Sequence, residues 1–450
     1  MSNVIKIKKG LDINLAGAAE RRITTLAVSQ DYSLSPLDFE GVTPKLMVAE
    51  GEQVEVGQPL FFDKNHPSVQ FSSPVSGTVS AVERGEKRKI LAIRLTADGR
   101  QTSRKFDTSK ATSREGVKSL LLESGLWPMI IQRPYGIIAN PDDKPKAIFV
   151  SAFDSAPLAP DLDFAMADQK EALQAGFDAL AQLTDGKVHL GVRNGSTGVF
   201  TTIEHVERHL FEGPHPAGNV GVQIHHIDPI SKGETVWTVA AQNVAIIGRL
   251  MLTGQVDMTK TIAVTGSMTV VPQYIRCLVG SSMVDMLLHP RVRPVATSSA
   301  FRLIRGNVLT GRKVGAKEAL DYYSQQITII HEGGEEEFMG WIRPRLDRLS
   351  VSHAYFSWLT PRKVYDLDTN LNGGVRPFVV TGLYEKYLPM DIYPAYLFKA
   401  IMAGDIEKME NLGIYEVIEE DVALCEFVDP SKIEIQQLVR DGIDLMIKEM

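Results

Sequence analysis

AIFVS at 147–151, KEALQAGFDALAQL at 170–183, KVHLGV at 187–192 and VWTVA at 236–240 decide the fold. The first, third and fourth are short apolar runs of strand length, and the second repeats its apolar residues at helical spacing. Further helices are predicted over Ile203 to Leu210 and Val244 to Leu252. Strand and helix alternating in this way give a mainly parallel sheet with helices packed on it. Upstream, Val117, Leu120 and Leu121 recur at helical spacing before Gly125 and Pro128, which places a helix within Thr112 to Leu126.

Outward from this unit the pattern changes. Between Pro36 and Arg100, short strands punctuated by glycine (Lys45 to Val48, Gln53 to Val56, Pro59 to Phe62, Gln70 to Ser72, Gly77 to Val82) read as a small β sandwich. Two short strands, a helix Ser282 to Leu288 and a returning strand Arg302 to Val308 suggest a β-grasp-like unit. Residues Glu332 to Val380, with the charged run Glu335 to Glu337, read as a polar traverse to a helical C-terminal region. The expected class is therefore a multi-domain α/β protein. Its parts are an N-terminal strand with a barrel-sandwich domain of biotinyl or lipoyl type at 1–105 and a Rossmann-like domain at 106–258. A β-grasp-like domain at 259–331, a linker at 332–376 and a C-terminal helical domain, degenerate ferredoxin-like, at 377–450 follow. A chain of 450 residues is long enough for about three separate cores.

Composition bounds the function. With 44% hydrophobic and 23% charged residues the chain is an ordinary globular one. Its most apolar stretch, Val236 to Leu252, is interrupted by Gln242, Asn243 and Arg249, so it reads as a strand and a helix rather than a membrane span. Lys6, Lys8 and Lys9 precede a stretch broken by Asp12 and Asn14, which suits an edge strand better than a secretory signal. A net charge of −7 with dispersed lysine and arginine argues against nucleic acid as a partner. The cysteines Cys277 and Cys425 suit a reducing compartment and cannot ligate a metal cluster. Cys277, flanked by Ile275 and Leu278, reads as a core thiol.

Several motifs carry chemistry in outline. Gly191 to Gly198 follows a strand and is expected to open a helix, where backbone amides can cradle a phosphate, but it lacks the G-x-G-x-x-G spacing. Lys64 sits near a hairpin tip, as the swinging lysine of a carrier domain does, although its loop is long and stiffened by Pro67. His205, His209, His215, His225 and His226 fall within 22 residues. On a helix, His205 and His209 would share a face and could hold zinc with a third ligand, against the plainer reading of surface and turn histidines. A ferredoxin run, C-x2-C-x2-C-x3-C-P, survives in outline at Glu419, Val422, Cys425 and Asp429-Pro430 with one cysteine, and at Phe378, Thr381, Tyr384 and Leu388-Pro389 with none.

KGLDINLAGAAE near the start, ESGLWPMIIQRPYG at 123–136, KAIFVSAFDSAPLAPD at 146–161, FEGPHPAGNVGVQIHHIDPI at 211–230 and TVWTVAAQNVAIIGRLMLTG at 235–254 resemble the A subunit of the sodium-translocating NADH:quinone reductase. So do the tail segments LYEKYLPMDIYPAYLFKAIMAGD and DVALCEFVDPSK. The resemblance implies a peripheral protein on the cytoplasmic face of a bacterial inner-membrane complex that oxidises NADH, reduces a ubiquinone-type quinone and pumps sodium outward. It implies the complex's other subunits, membrane ones included, as partners, and NADH, flavins and iron-sulfur centres in the complex as a whole. The family is similar to the C subunit of Rnf-type complexes and to the flavin subunit of respiratory complex I. Here the flavin-loop position reads Leu126-Trp127-Pro128-Met129-Ile130-Ile131, bulky where a phosphate needs glycine. The family pattern places a cysteine before Pro430, where this chain has Asp429.

The expectation is thus a docking protein with no catalytic residue, bound cofactor or metal of its own. Trp127, Met129, Tyr135 and Phe39 are its candidates for a quinone cleft, or else fillers of the volume a flavin would take. The alternatives are a self-sufficient flavin- or nucleotide-binding oxidoreductase and a carrier protein modified on Lys64.

Overall fold

The computed structural model describes residues 4–27, 29–295, 300–334, 346–360, 362–378 and 382–449. The acidic run Glu335 to Glu337 and Thr381 lie outside them. Strand Ala147–Ser151, helix Lys170–Leu183 and strand Lys187–Arg193 stand where the sequence pattern puts them. The helix expected at 244–252 spans Ala241–Thr253, following strand Val236–Val239.

These elements build a seven-stranded sheet in the order Val4–Lys6, Glu207–Glu212, Lys187–Arg193, Ala147–Ser151, Val236–Val239, Ile130–Arg133, Ile137–Ile138. The first five run parallel, and the last two are added antiparallel at one edge. Helices Lys170–Leu183 and Ala241–Thr253 approach closely through glycine. A Cβ on Gly248 would stand 1.7 Å from the Ala172 carbonyl oxygen, and one on Gly176 2.1 Å from that of Val244.

One expected helix is absent. Residues 203–210 enter the sheet instead, as strand Glu207–Glu212 after a short 3-10 turn at Val199–Thr202. Ile203, Val206 and Leu210 have helical spacing, but the slot between Lys187–Arg193 and Val4–Lys6 offers backbone pairing on both sides, and tertiary pairing overrides local periodicity.

The N-terminal unit is a four-stranded sheet (Asp31–Leu34, Ile90–Ala97, Gly77–Arg84, Gln53–Val54) packed on a three-stranded one (Pro44–Leu46, Pro59–Asp63, Gln70–Ser72). Phe61 and Phe71 stack at 4.3 Å in its core, with Phe39 4.5 Å from Phe71. The helix after it, Arg114–Ser124, is capped by Ser113 and ends at Gly125 in the left-handed conformation. Any side chain at Gly125 would strike Ser72 Oγ.

The third sheet has six strands, ordered Arg312–Lys313, Phe301–Arg305, Gln326–His331, Thr259–Thr265, Gln273–Leu278, Glu20–Thr25. Strands Val4–Lys6 and Glu20–Thr25 therefore join two sheets, lying beside strands 207–212 and 273–278, before the sandwich begins at Asp31. Helices Pro394–Ala403, Ile406–Asn411, Glu419–Val428 and Ile435–Glu449 form the C-terminal bundle. Its core of Leu397, Phe398, Cys425 and Val439 continues into Phe211 and Val222 of the α/β unit. Among the described residues no helix is long and apolar enough to cross a membrane.

Candidate functional site

In a parallel α/β sheet, ligands bind beyond the carboxyl ends of the strands. Here that edge opens into a cavity of about 310 Å³ that continues into one of about 370 Å³; Ile131, Asp154, Tyr323, Gln325 and Glu420 are among the residues the two share. The sheet edge supplies Met129, Ile131 and Arg133, the strand end at Ser151 with Phe153 and Asp154, and Thr238 to Ala240; the third unit supplies Leu309, Tyr323 and Gln325, and the C-terminal bundle adds Ile418 and Glu420.

Arg133 organises one wall. Its guanidinium donates to Asp421 Oδ2 at 2.6 Å and forms a second ion pair with Glu420. Gly221 makes room, because a Cβ there would lie 2.3 Å from Asp421 and 2.5 Å from Arg133. Burial, opposed by Arg133 and reinforced by Asp421 and Asp154, pushes the Glu420 carboxyl up to about 7. Arg305 holds the opposite wall, bonded to Asp38 and, at 3.0 Å, to Asp321. Burial raises Asp38 to about 6 despite this partner. Tyr323 donates its hydroxyl to the Pro128 carbonyl at 2.8 Å. The side-chain oxygen of Gln325 is buried without a hydrogen-bond partner. An apolar wall of Met129, Ile131, Leu309 and Ile418 thus faces protonatable and amide groups, which suits a flat ligand with polar oxygens at its rim.

The four aromatic and methionine candidates do not share a cavity. Met129 opens on this cleft. Trp127 is fully buried, donating Nε1 to the Ala139 carbonyl at 2.7 Å and meeting Trp237 edge-on. Phe39 packs between Phe71, Tyr322 and Tyr323 in the core. Tyr135 lines a separate cavity of about 400 Å³ next to Tyr415.

The five histidines scatter. His205, off any helix, faces Asp178 at 3.2 Å, and His209 lies on a strand beside His189 at 2.9 Å, so the shared helix face does not exist. His215 meets Ser155, His226 donates to the Val222 carbonyl, and His225 bridges Glu416 and the Asp391 amide. The Gly191 to Gly198 loop leads into a 3-10 turn rather than a helix. Ser196 is bonded to Asp163, whose carboxylate also fills the space beside Gly198, so an acid stands where a phosphate would sit. Lys64 is exposed at the start of the loop joining Pro59–Asp63 to Gln70–Ser72. At the ferredoxin outline Tyr384 donates to Asp429 at 2.9 Å, and Asp429 also accepts from the Ser431 and Ile433 amides. Cys425, fully buried, has its thiol pushed up by burial to well above its ordinary range. Arg133, Tyr323, Gln325 and Glu420 carried no sequence signal, since three distant segments bring them together.

Residues 5–98 match the NqrA N-terminal barrel-sandwich hybrid domain, 112–256 the NqrA second alpha/beta domain and 261–316 the NQRA C-terminal domain. The A subunit of the Na(+)-translocating NADH-quinone reductase from Rhodopirellula baltica is 36% identical over 99% of both chains. This chain belongs to the NqrA family. Other members are the proteins of Serratia proteamaculans, 37% identical over 99% of this chain and 100% of its own, and of Neisseria meningitidis, 36% identical over the same shares. Among solved structures, an NAD+-reducing [NiFe]-hydrogenase in the air-oxidized state aligns over 76% of this chain and 62% of that one. At 11% identity and a TM-score of 0.38, the likeness bears on neither the fold nor the chemistry of the NqrA family.

Proposed function

We propose that this chain is the peripheral NqrA component of a sodium-translocating NADH:quinone reductase, docked on the cytoplasmic face of the membrane, with no redox centre of its own, and that its cleft receives the quinone head. Family membership supports the complex and its other subunits as partners. In this reading the six-stranded unit is β-grasp-like, and the C-terminal bundle is a ferredoxin-like module that has given up its thiolates. Electrons reach the quinone from flavins and iron-sulfur centres held by other subunits.

The observation that carries the quinone role is the cleft itself. Its apolar wall of Met129, Ile131 and Leu309 suits a planar ring, and Gln325 presents a buried oxygen that lacks a donor. A quinol hydroxyl supplies such a donor, while Glu420, held near neutrality, can keep a proton at the ring's oxygen. Bulky Leu126 and Trp127, both fully buried, support the absence of a flavin, because they fill the position where a phosphate would need an open glycine turn.

The test uses the assembled complex and a photoreactive quinone. Cross-linking to peptides holding Leu309, Tyr323 or Glu420, reduced by Leu309→Trp together with a raised KM for quinone, is the expected result. Labelling confined to other subunits overturns the quinone role. Failure of the chain to co-purify with membrane subunits overturns the docking role, and a yellow purified chain overturns the claim that it holds no flavin.

A further inference from the structure

At the opposite end of the parallel strands, away from the cleft, lies a solvent-open cavity of about 510 Å³. Three ligand-bearing side chains meet there because two adjacent parallel strands start side by side. The register sets His189 opposite Glu207 and Gly191 opposite His209, so residues of the same phase project to one face. His189 Nδ1 lies 2.9 Å from His209 Nε2, and one oxygen of Glu207 completes a set whose atoms all fall within 4.8 Å of one another.

We propose that His189, His209 and Glu207 form a binding site for a single divalent transition-metal ion of the zinc class. Two imidazoles and a carboxylate are a ligand set this ion takes. At bond lengths near 2.0–2.1 Å a tetrahedral ion holds its nitrogens about 3.3 Å apart, so the two rings need to separate by only a few tenths of an ångström. One ring is already held: His189 stacks on Phe149 at 4.5 Å. Without an ion the 2.9 Å contact is a hydrogen bond, one neutral ring donating to the other, and an ion bound between the two nitrogens takes the place of that shared proton. His226 lines the same cavity but spends its Nδ1 proton on the Val222 carbonyl. Lys187 contacts Glu207 at 2.5 Å and Lys146 is tied to Asp228 and Glu234. Lys187 engages Oε2 of Glu207, and a carboxylate has a second oxygen to offer.

Zinc has no redox chemistry, so this site is compatible with a chain that carries no electrons. It would pin the amino-terminal ends of two sheet strands, beside the first strand of the chain at Ile5.

Titration of the tag-free full-length chain, stripped with chelator, against zinc and then cobalt(II) tests the site. The expected result is one equivalent bound, with a tetrahedral cobalt visible spectrum that zinc displaces. His209→Gln and His189→Gln should each weaken binding by more than about a hundredfold, given that losing even an outer partner of a metal ligand costs about ten- to a hundredfold. His205→Gln, four residues away and outside the cavity, should leave it unchanged. Circular dichroism matching the parent shows each variant folded, and Glu207→Gln offers a milder change should an imidazole variant fail. No saturable binding, or equal binding by the parent and folded ligand variants, overturns the proposal.

Discussion

Arg133 and Asp421 lie 288 residues apart and meet in a buried ion pair at 2.6 Å, their side chains 2% and 0% exposed. The pair joins the antiparallel edge of the central sheet to helix Glu419–Val428, and Arg440 reinforces it from the next helix by bonding Glu419 and the Tyr135 carbonyl. Removing one partner of such a pair strands the other charge away from water, at a cost of about 3–5 kcal/mol. Asp421→Ala should therefore release the bundle locally. Amide exchange in 419–428 should quicken well before the sandwich unit opens, and equal protection in both proteins would contradict this.

The crossing of helices Lys170–Leu183 and Ala241–Thr253 depends on absent side chains. Gly248→Ala places a methyl against a backbone carbonyl that cannot move aside alone, and overpacking of this kind costs about 1–3 kcal/mol. A lower thermal midpoint is expected for Gly248→Ala, whereas Gly195→Ala, where a Cβ meets nothing within 4 Å, suffers only the strain of its left-handed backbone.

Burial alone brings His215 down to about 4. Its neutral form belongs to the folded state, so the stability it contributes is present above the ordinary imidazole pKa near 6.5 and is lost as pH falls toward 4, by on the order of 3 kcal/mol. The urea midpoint of the parent should fall over that window. His215→Asn should fall less, and parallel pH profiles would refute the assignment.

Trp127 and Met129 should separate by readout. Trp127→Phe leaves the Ala139 carbonyl without its Nε1 donor, costing about 1–3 kcal/mol of stability. It should leave the KM for quinone unaltered. Met129→Trp, which narrows the cleft, should raise that KM, together with the overpacking cost of about 1–3 kcal/mol expected at so buried a position.

The strands at 147–151 and 187–193 and the helix at 170–183 were legible because each buries its own pattern of apolar residues. Residues 203–210 were not, since Ile203, Val206 and Leu210 are spaced as on a helix and only the neighbouring strands reveal the sheet slot. The same slot hides the pairing of His189 with His209. No local spacing links them, although the two-residue phase of 187, 189 and 191 against 207 and 209 becomes the signal once both are read as strands. The cleft was less legible still. Arg133, Tyr323 and Glu420 each look ordinary in their own segment, and Trp127 drew attention for bulk that the core consumes. The N-terminal lysines did mark Val4–Lys6 as an edge strand, but not which sheet it edges.

That edge strand bears on how the chain comes off the ribosome. Val4 pairs with Leu210, about two hundred residues downstream, and Glu20–Thr25 lies beside Gln273–Leu278. Residues 4–6 and 20–25 must stay unpaired until the later units that hold their partners have emerged. Such a segment is exposed to premature strand pairing throughout translation, and its charges at Lys6, Lys8 and Lys9 guard it in the interval.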